Sequence, residues 1–281
     1  MIRCRLVLAL PVLSVLSAVG SAGCRKSEQR IVMATTTSVR DCGLLDELLP
    51  AFARETGIKV APVAVGSGEA LRLGRDGNAD LLFTHDPDGE QQLLEEGILA
   101  RREELMRGRF IVVGPAADPA GIRGLEEPAE VFARLAQGLA PFVSRGDDSG
   151  THRKERKLWQ AAGLEPSGDW YLEVGAGMVH TLRVASERQG YCLVDTATFL
   201  QAQPTLELEL LVDSGRPAWT NLYSVSLLNP TRYPKLRHEP AARFVEFVTT
   251  GPGREILVRF GAAKFGRPVF DVLPTAPPTA R

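Results

Sequence analysis

The chain has 281 residues, 44% hydrophobic and 24% charged, the proportions of an ordinary globular protein with room for one large or two modest domains. Its 33 basic and 34 acidic side chains leave a formal net charge of −1, which excludes the basic field that nucleic-acid binding relies on. The same balance of apolar and charged residues excludes a disordered chain.

Arg3 and Arg5 precede an apolar run over residues 6–19, followed by the small residues "GSAG" and Cys24. This layout predicts a secretory signal over residues 1–23, and the run is shorter than the ~20 residues that a membrane span needs. Cys24 is the predicted lipidation site, with ordinary cleavage near Gly20 or Gly23 as the alternative, because Ser21 stands where lipoprotein signals carry an aliphatic residue. Loss of the leader removes two arginines and leaves a mildly acidic exported protein, in the periplasm or on the outer face of the cytoplasmic membrane. Cys42 and Cys192 then remain; in an oxidising compartment they can pair, but two buried thiols are the expected state. Neither the cysteines nor His85, His152, His180 and His238 show ligand spacing, so no cation site is predicted.

Strand-like and helix-like patterns alternate from residue 30 onwards. "RIVMATTTS" reads as a buried strand ending in a hydroxyl loop, and "GLLDELLPAFARETG" as an amphipathic helix stopped by Gly57. "KVAPVAVGSG" is a second strand, "EALRLGRDG" a short helix, "ADLLFTH" a strand and "GEQQLLEEGIL" a helix. "RFIVVGPAADPAGIRG" then reads as a strand followed by a proline- and glycine-rich loop. The rhythm resumes with "APFVSRG", a helix over 151–162, "WYLEVGAG", a helix over 178–188, "GYCLVD" and a helix over 196–201. "NLYSVSLLNP" is a returning strand, and the chain closes with the helices "EPAARFVEFVTT" and "GREILVRF". This order predicts an α/β protein of two lobes, each a mostly parallel sheet with helices on both faces, joined by two crossing strands near 110–113 and 223–227. The lobes are expected over 31–112 with 226–273, and over 113–225, with a tail at 274–281.

Four polar stretches fall at the C-terminal end of a predicted strand and before a helix: 35–38, 66–68, 144–151 and 175–178. Open α/β sheets bind ligands at that edge, and helix N-termini there offer unpaired N–H groups with a partial positive charge. Ser and Thr hydroxyls add neutral donors. Glycine permits close approach, and Arg145 supplies one planar, fixed cation suited to an oxyanion. Each loop alone also reads as an ordinary helix cap; together they describe a cage for a small multiply charged oxyanion, with Asp147 holding Arg145 in orientation.

The segments "ATTTS", "VAVGSGEALRLGRDGNADLLFTH", "FIVVGPAADPAGI", "PFVSRGDDSGTHRKE", "GDWYLEVGAGM" and "NLYSVSLLNP" cover most of residues 31–260 in order. In these the chain resembles the tungstate-binding subunits of bacterial ABC importers, relatives of the molybdate- and sulfate-binding proteins with the class II periplasmic binding fold. The resemblance implies anion contacts from Thr36, Thr37, Ser38, Ser67, Ser144, Arg145, Ser149, Gly150 and Thr151, with backbone groups at Gly177 and Met178. It implies a monomeric extracytoplasmic binding protein that captures tungstate and delivers it to a membrane permease, with no cofactor. The chain departs from the family pattern after "TTTS", where it reads Val39 to Gly43, and at Thr196, where relatives carry arginine.

Tungstate and molybdate are fully ionised at neutral pH and call for donors alone, whereas hydrogen phosphate calls for one acceptor, a role open to Asp147. Molybdate or phosphate binding on the same fold is therefore the alternative. A hydrolase acting through Ser149 is a more distant one: neither "GDDSG" nor "VGSGE" matches G-x-S-x-G, and no phosphate-binding G-K-S or G-K-T is present.

Overall fold

A computed structural model of the chain describes residues 29–138 and 140–274. The signal segment with Cys24 and nearly all of the tail lie outside the described residues.

The first segment runs β1 (Gln29–Thr36), α1 (Thr37–Asp41), α2 (Leu44–Thr56), β2 (Ile58–Val65), α3 (Ser67–Arg75), β3 (Leu81–Thr84) and α4 (Pro87–Glu95). β4 (Leu99–Gly114) leads to α5 (Pro128–Leu135), β5 (Phe142–Ser144), α6 (Gly150–Ala161), β6 (Tyr171–Glu173), α7 (Met178–Glu187), β7 (Cys192–Asp195), α8 (Thr196–Ala202) and β8 (Glu209–Val212). The chain returns through β9 (Thr220–Leu228) to α9 (His238–Thr249), α10 (Pro252–Arg259), α11 (Ala262–Phe265) and β10 (Asp271–Val272).

β1 pairs in parallel with both β2 and β3, β3 pairs antiparallel with β9, and β9 antiparallel with β4. Alternate residues of these strands point to opposite faces. Ile31, Met33, Leu81 and Phe83 therefore join α2, α9 and α10 in one core, while Ala34 and Leu82 pack with Leu71 and Leu93 of α3 and α4 on the other face. α2 turns Leu44, Leu45, Leu48 and Phe52 inward, and Phe52 meets Phe244 edge-on at 5.1 Å. Gly57 ends that helix at φ +73°, a conformation costly for residues with a Cβ.

β4 is sixteen residues long, far longer than the strand expected from "RFIVVG". Its first half is the charged run "LARREELMRG", which has no apolar alternation. The charges settle there by pairing: Arg101 with Glu103 at 2.6 Å, and Arg102 with Glu104 at 3.0 Å and Glu90 at 2.8 Å. Glu90 is fully buried in α4, where it also accepts hydrogen bonds from the Thr84 and Ser224 hydroxyls and the Asp86 amide. Between Arg109 and Phe110 the strand changes partners, from β9 to β7 and then β8, with a register shift between Val112 and Val113. One sheet thus bends from the first lobe into the second.

In the second lobe β5 pairs in parallel with β6 and bridges to Tyr191 just before β7. Its core is aromatic: Trp159 of α6 stands edge-on to Phe132 of α5 at 4.5 Å and to Phe142 at 5.3 Å. α5 and β8 are elements to which the sequence pattern assigns no structure. α5 carries its own start signal, Pro128 in the first turn, where the missing N–H costs nothing.

Candidate functional site

The "TTTS" stretch, expected as a loop, is half helix. Thr36 is the N-cap of α1, its Oγ1 accepting from the Val39 amide at 3.3 Å, so Thr37 and Ser38 form the first helical turn. The physical reason is the cap itself: a threonine at the end of a strand satisfies an amide that would otherwise be orphaned. Thr35 looks the other way, donating to the Phe83 carbonyl at 2.7 Å. Ser67 opens α3 after Gly66 and is buried. Ser149 caps α6, accepting from the His152 amide at 3.4 Å, which places Gly150 and Thr151 at the helix N-terminus. Gly177 is the N-cap of α7; the Met178 side chain is buried in the second-lobe core, leaving only its backbone for the cleft.

Arg145 is 3% exposed. Its Nη2 lies 2.5 Å from Oδ2 of Asp147, and Oδ1 of Asp147 accepts from the Ser149 amide at 3.1 Å. Both carboxylate oxygens are thus engaged in holding the loop. The left-handed backbone that this tight loop needs falls on Gly146, at φ +59°, and on Asp148, at φ +55°, a residue type that tolerates it.

The four loops converge. The Arg145 carbonyl accepts from the Gly175 and Ala176 amides at 2.8 and 3.3 Å, which ties the third loop to the fourth. The Gly150 amide donates to Ser67 Oγ at 3.0 Å, joining α6 of the second lobe to α3 of the first. α1 packs against α7 and α8, closing the ring. Thr36, Ser38, Ser67, Ser144, Arg145, Ser149 and Thr151 are all buried at this junction. Arg145 Nε and Thr151 Oγ1 are buried donors with no protein partner, an arrangement native interiors rarely leave unanswered.

A PBP superfamily domain matches residues 23–251. The chain belongs to the PBP superfamily. It is 38% identical over 243 residues to the tungstate-binding protein TupA of Peptoclostridium acidaminophilum, covering 85% of this chain and 84% of that one. Among solved structures it is similar to the tungstate ABC transporter of Geobacter sulfurreducens, with 38% identity, a TM-score of 0.76 and coverage of 83% of this chain and 99% of that chain. The tungstate-binding protein TupA of Desulfovibrio alaskensis aligns with 35% identity and a TM-score of 0.74, over 88% of this chain and 99% of its own.

On this PBP fold several residues that the four-loop reading missed border the same junction. His85 follows β3 and Asp195 ends β7, so both stand at the strand edge that selected the other loops; the signal was present for them too. Burial pushes the His85 imidazole down and the Asp195 carboxyl up, and each moderates the other. Behind Ser144 lies Glu155, 2% exposed, which accepts from Tyr171 Oη at 2.7 Å and Trp159 Nε1 at 3.3 Å. Burial raises the Glu155 carboxyl to about 7 against these hydrogen bonds and one from Ser144. The Ser144 hydroxyl is therefore turned into the second lobe, where it also accepts from the Gly146 amide at 3.3 Å.

Outside the junction, a cleft of about 870 Å³ runs between α4 and α6. Arg153 meets Asp86 at 3.2 Å across it, and Lys157 pairs with Asp88. The Ser149 oxygen caps α6, and His152 Nδ1 accepts from the Asp148 amide at 3.0 Å. Cys42 and Cys192 are free, buried thiols in different cores. Among the described residues no group of three or more His, Cys, Asp or Glu side chains is placed to hold a metal ion, and no helix is long and apolar enough to cross a membrane.

Proposed function

We propose that this chain is the extracytoplasmic solute-binding subunit of an ABC importer, and that it captures a fully ionised tetrahedral oxyanion, tungstate first, between its two lobes. One observation carries the reading: helix N-termini from both lobes meet at a junction that holds the buried guanidinium of Arg145, and the Gly150 amide reaches Ser67 Oγ across the gap at 3.0 Å. Thr36, Thr37, Ser38, Ser67, Arg145, Ser149, Gly150, Thr151 and the backbone at Gly177 and Met178 are the proposed anion contacts. Ser144 and Asp147 are positioning residues, Ser144 through Glu155 and Asp147 through Arg145.

Both Asp147 oxygens are engaged within their own loop, one by Arg145 and one by the Ser149 amide, which makes Asp147 a positioning residue and not the acceptor of a phosphate proton. The choice of a fully ionised anion rests on the relatives, which are named for tungstate. Tungstate is preferred to molybdate because relatives at 35–38% identity are tungstate-binding proteins, not on any difference in size.

Capture proceeds by hinge closure. The lobes, 31–112 with 226–273 and 113–225, swing about β4 and β9, and the change of β4 partners between Arg109 and Phe110 supports a hinge at that point. The closed form then presents its surface to the permease, and no bond in the anion is made or broken. Export through the 1–23 signal, with lipidation at Cys24, places the protein outside the cytoplasmic membrane as a monomer.

The test is calorimetric and thermal-shift titration of the leaderless protein with tungstate, molybdate, sulfate, phosphate and chromate. A rise in melting temperature with tungstate, and with molybdate to a lesser extent, is the expected result. A response to phosphate alone overturns the assignment.

A further inference from the structure

We infer that His85 and Asp195 are a proton-binding pair belonging to the anion site, so that capture of the oxyanion takes up one proton from solvent. The inference rests on the reading of the junction as an oxyanion site and adds to it a co-bound proton and two residues.

The pair comes from opposite lobes, His85 from the end of β3 and Asp195 from the end of β7. His85 is 5% exposed and Asp195 2%. A Cβ placed on Gly150 would stand 2.7 Å from Ser67 Oγ and 3.1 Å from His85 Cε1, so the imidazole, the Ser67 hydroxyl and the N-terminus of α6 share one spot. Neither ring nitrogen of His85 has a partner in hydrogen-bond geometry. Asp195 Oδ1 accepts from the Thr198 amide at 2.9 Å, as the N-cap of α8, while Oδ2 is buried with no partner.

The surrounding groups leave the pair as the place where charge can change. Around His85 stand the Tyr223 ring at 5.1 Å, the Asn221 side chain and the carboxylates of Asp195, Glu90 and Asp86. Glu90 is committed to Arg102, Thr84 and Ser224, and Asp86 to Arg153. Around Asp195 stand His85, Arg145, Thr198, Cys42 and Tyr223. Arg145 carries one positive charge, shared with Asp147, which is less than a dianion and an ionised Asp195 together require, and the Cys42 thiol and Tyr223 phenol are both held protonated by burial. A dianion entering this water-poor junction beside an ionised Asp195 leaves an excess of negative charge that a low-dielectric interior disfavours strongly.

One added proton relieves it. With the lobes apart and both groups hydrated, ordinary values of about 6.5 for histidine and 3.9 for aspartate leave the pair unprotonated at mildly alkaline pH. On closure, burial raises the carboxyl, and the arriving dianion favours protonation of either partner. The proton is drawn from water or buffer. Whether it rests on Oδ2 of Asp195 or on the imidazole, the count is the same.

The experiment is calorimetry of the leaderless protein with sodium tungstate at about pH 8, in buffers of different ionisation enthalpy, repeated over the range of about pH 7.5 to 9. Expected are uptake of about one proton and an affinity that weakens by up to about tenfold per pH unit, since the bound form holds a proton that the free form lacks. Asp195→Asn, which keeps an oxygen to cap α8, and His85→Gln are expected to lose this uptake; Glu47→Gln, exposed on α2, is expected to keep it. Tungstate binding by wild-type protein with no uptake and a flat pH profile overturns the inference and leaves the oxyanion reading standing. Uptake that persists undiminished in both variants also overturns it. Failure of every oxyanion to bind overturns both. The wild-type measurement decides even if a variant does not fold.

Discussion

The two walls of the cleft are built from different chemistry. The first-lobe wall offers the N-termini of α1 and α3 with Thr36, Ser38 and Ser67, and its nearby charges, Arg40 and Asp41, pair with each other at 2.7 Å with the arginine turned largely to solvent. The second-lobe wall carries the single buried guanidinium, Arg145, fixed by Asp147, with the titratable Glu155 behind it. The comparison separates two tasks. A neutral wall of small donors strips and replaces water around an anion, whereas a wall with one pre-oriented cation supplies the charge attraction that a dehydrated dianion requires.

Removing the charge from the second wall should have the largest effect. Arg145→Ala is expected to weaken tungstate binding by about 2–5 kcal/mol, a loss of roughly thirtyfold or more by calorimetry. It also frees Asp147 as an unpaired carboxylate beside the anion. Wild-type affinity in this variant would show that the charged wall does not bind the ligand.

Glu155 gives the second wall a pH dependence of its own, read in folding stability. Its carboxyl titrates near 7 when folded, above the ordinary glutamate value of about 4.3, so the folded state binds more protons than the unfolded state between these limits. Stability contributed by the group is present at low pH and lost as pH rises through about 7. Glu155→Gln should remove this slope and raise stability at about pH 8 by up to about 3 kcal/mol relative to wild type, with little gain at about pH 5. Denaturant melts at the two pH values check it; equal gains at both would refute the assignment.

Closure itself can be jammed from the second wall. The Cβ introduced by Gly150→Ala would stand 2.7 Å from Ser67 Oγ, so the lobes must part slightly or the serine must turn. An affinity loss of about 1–3 kcal/mol is expected from this overpacking, and adding Ser67→Ala should recover part of it. A double variant no better than Gly150→Ala alone would place the obstruction elsewhere.

The smallest effect should come from the neutral wall. Ser67→Ala removes one acceptor of the cross-lobe bond, for about 1 kcal/mol, seen as a several-fold faster release of tungstate in stopped-flow. A loss as large as that of Arg145→Ala would collapse the distinction between the walls.

Much of this was legible from residue order. The alternation of apolar strands with amphipathic helices predicted the α/β lobes, and α6, α7 and α8 begin within a residue of their expected starts because Ser149, Gly177 and Asp195 mark them locally. Other elements were hidden for identifiable reasons. The first half of β4 is a charged strand whose side chains are satisfied by Glu90, Glu103 and Glu104, two of them on the strand and one 12 residues before Arg102. A pattern search for apolar alternation cannot see a strand held by ion pairs. Likewise the hydroxyls of "TTTS" point to a loop, while its second half is helix because Thr36 caps it.

By itself, then, the amino-acid order determined which elements form, where most helices start and which loops are rich in donors, because caps, periodicity and glycine act over a few residues. Only the tertiary structure decided which donors face one another. It turned Ser144 toward Glu155, spent both Asp147 oxygens on its own loop, set the Gly150 amide on Ser67 across 83 positions of chain, and brought His85 and Asp195 to the junction from separate lobes. These are long-range contacts made by strand order and by the partner exchange within β4, and no local spacing encodes them.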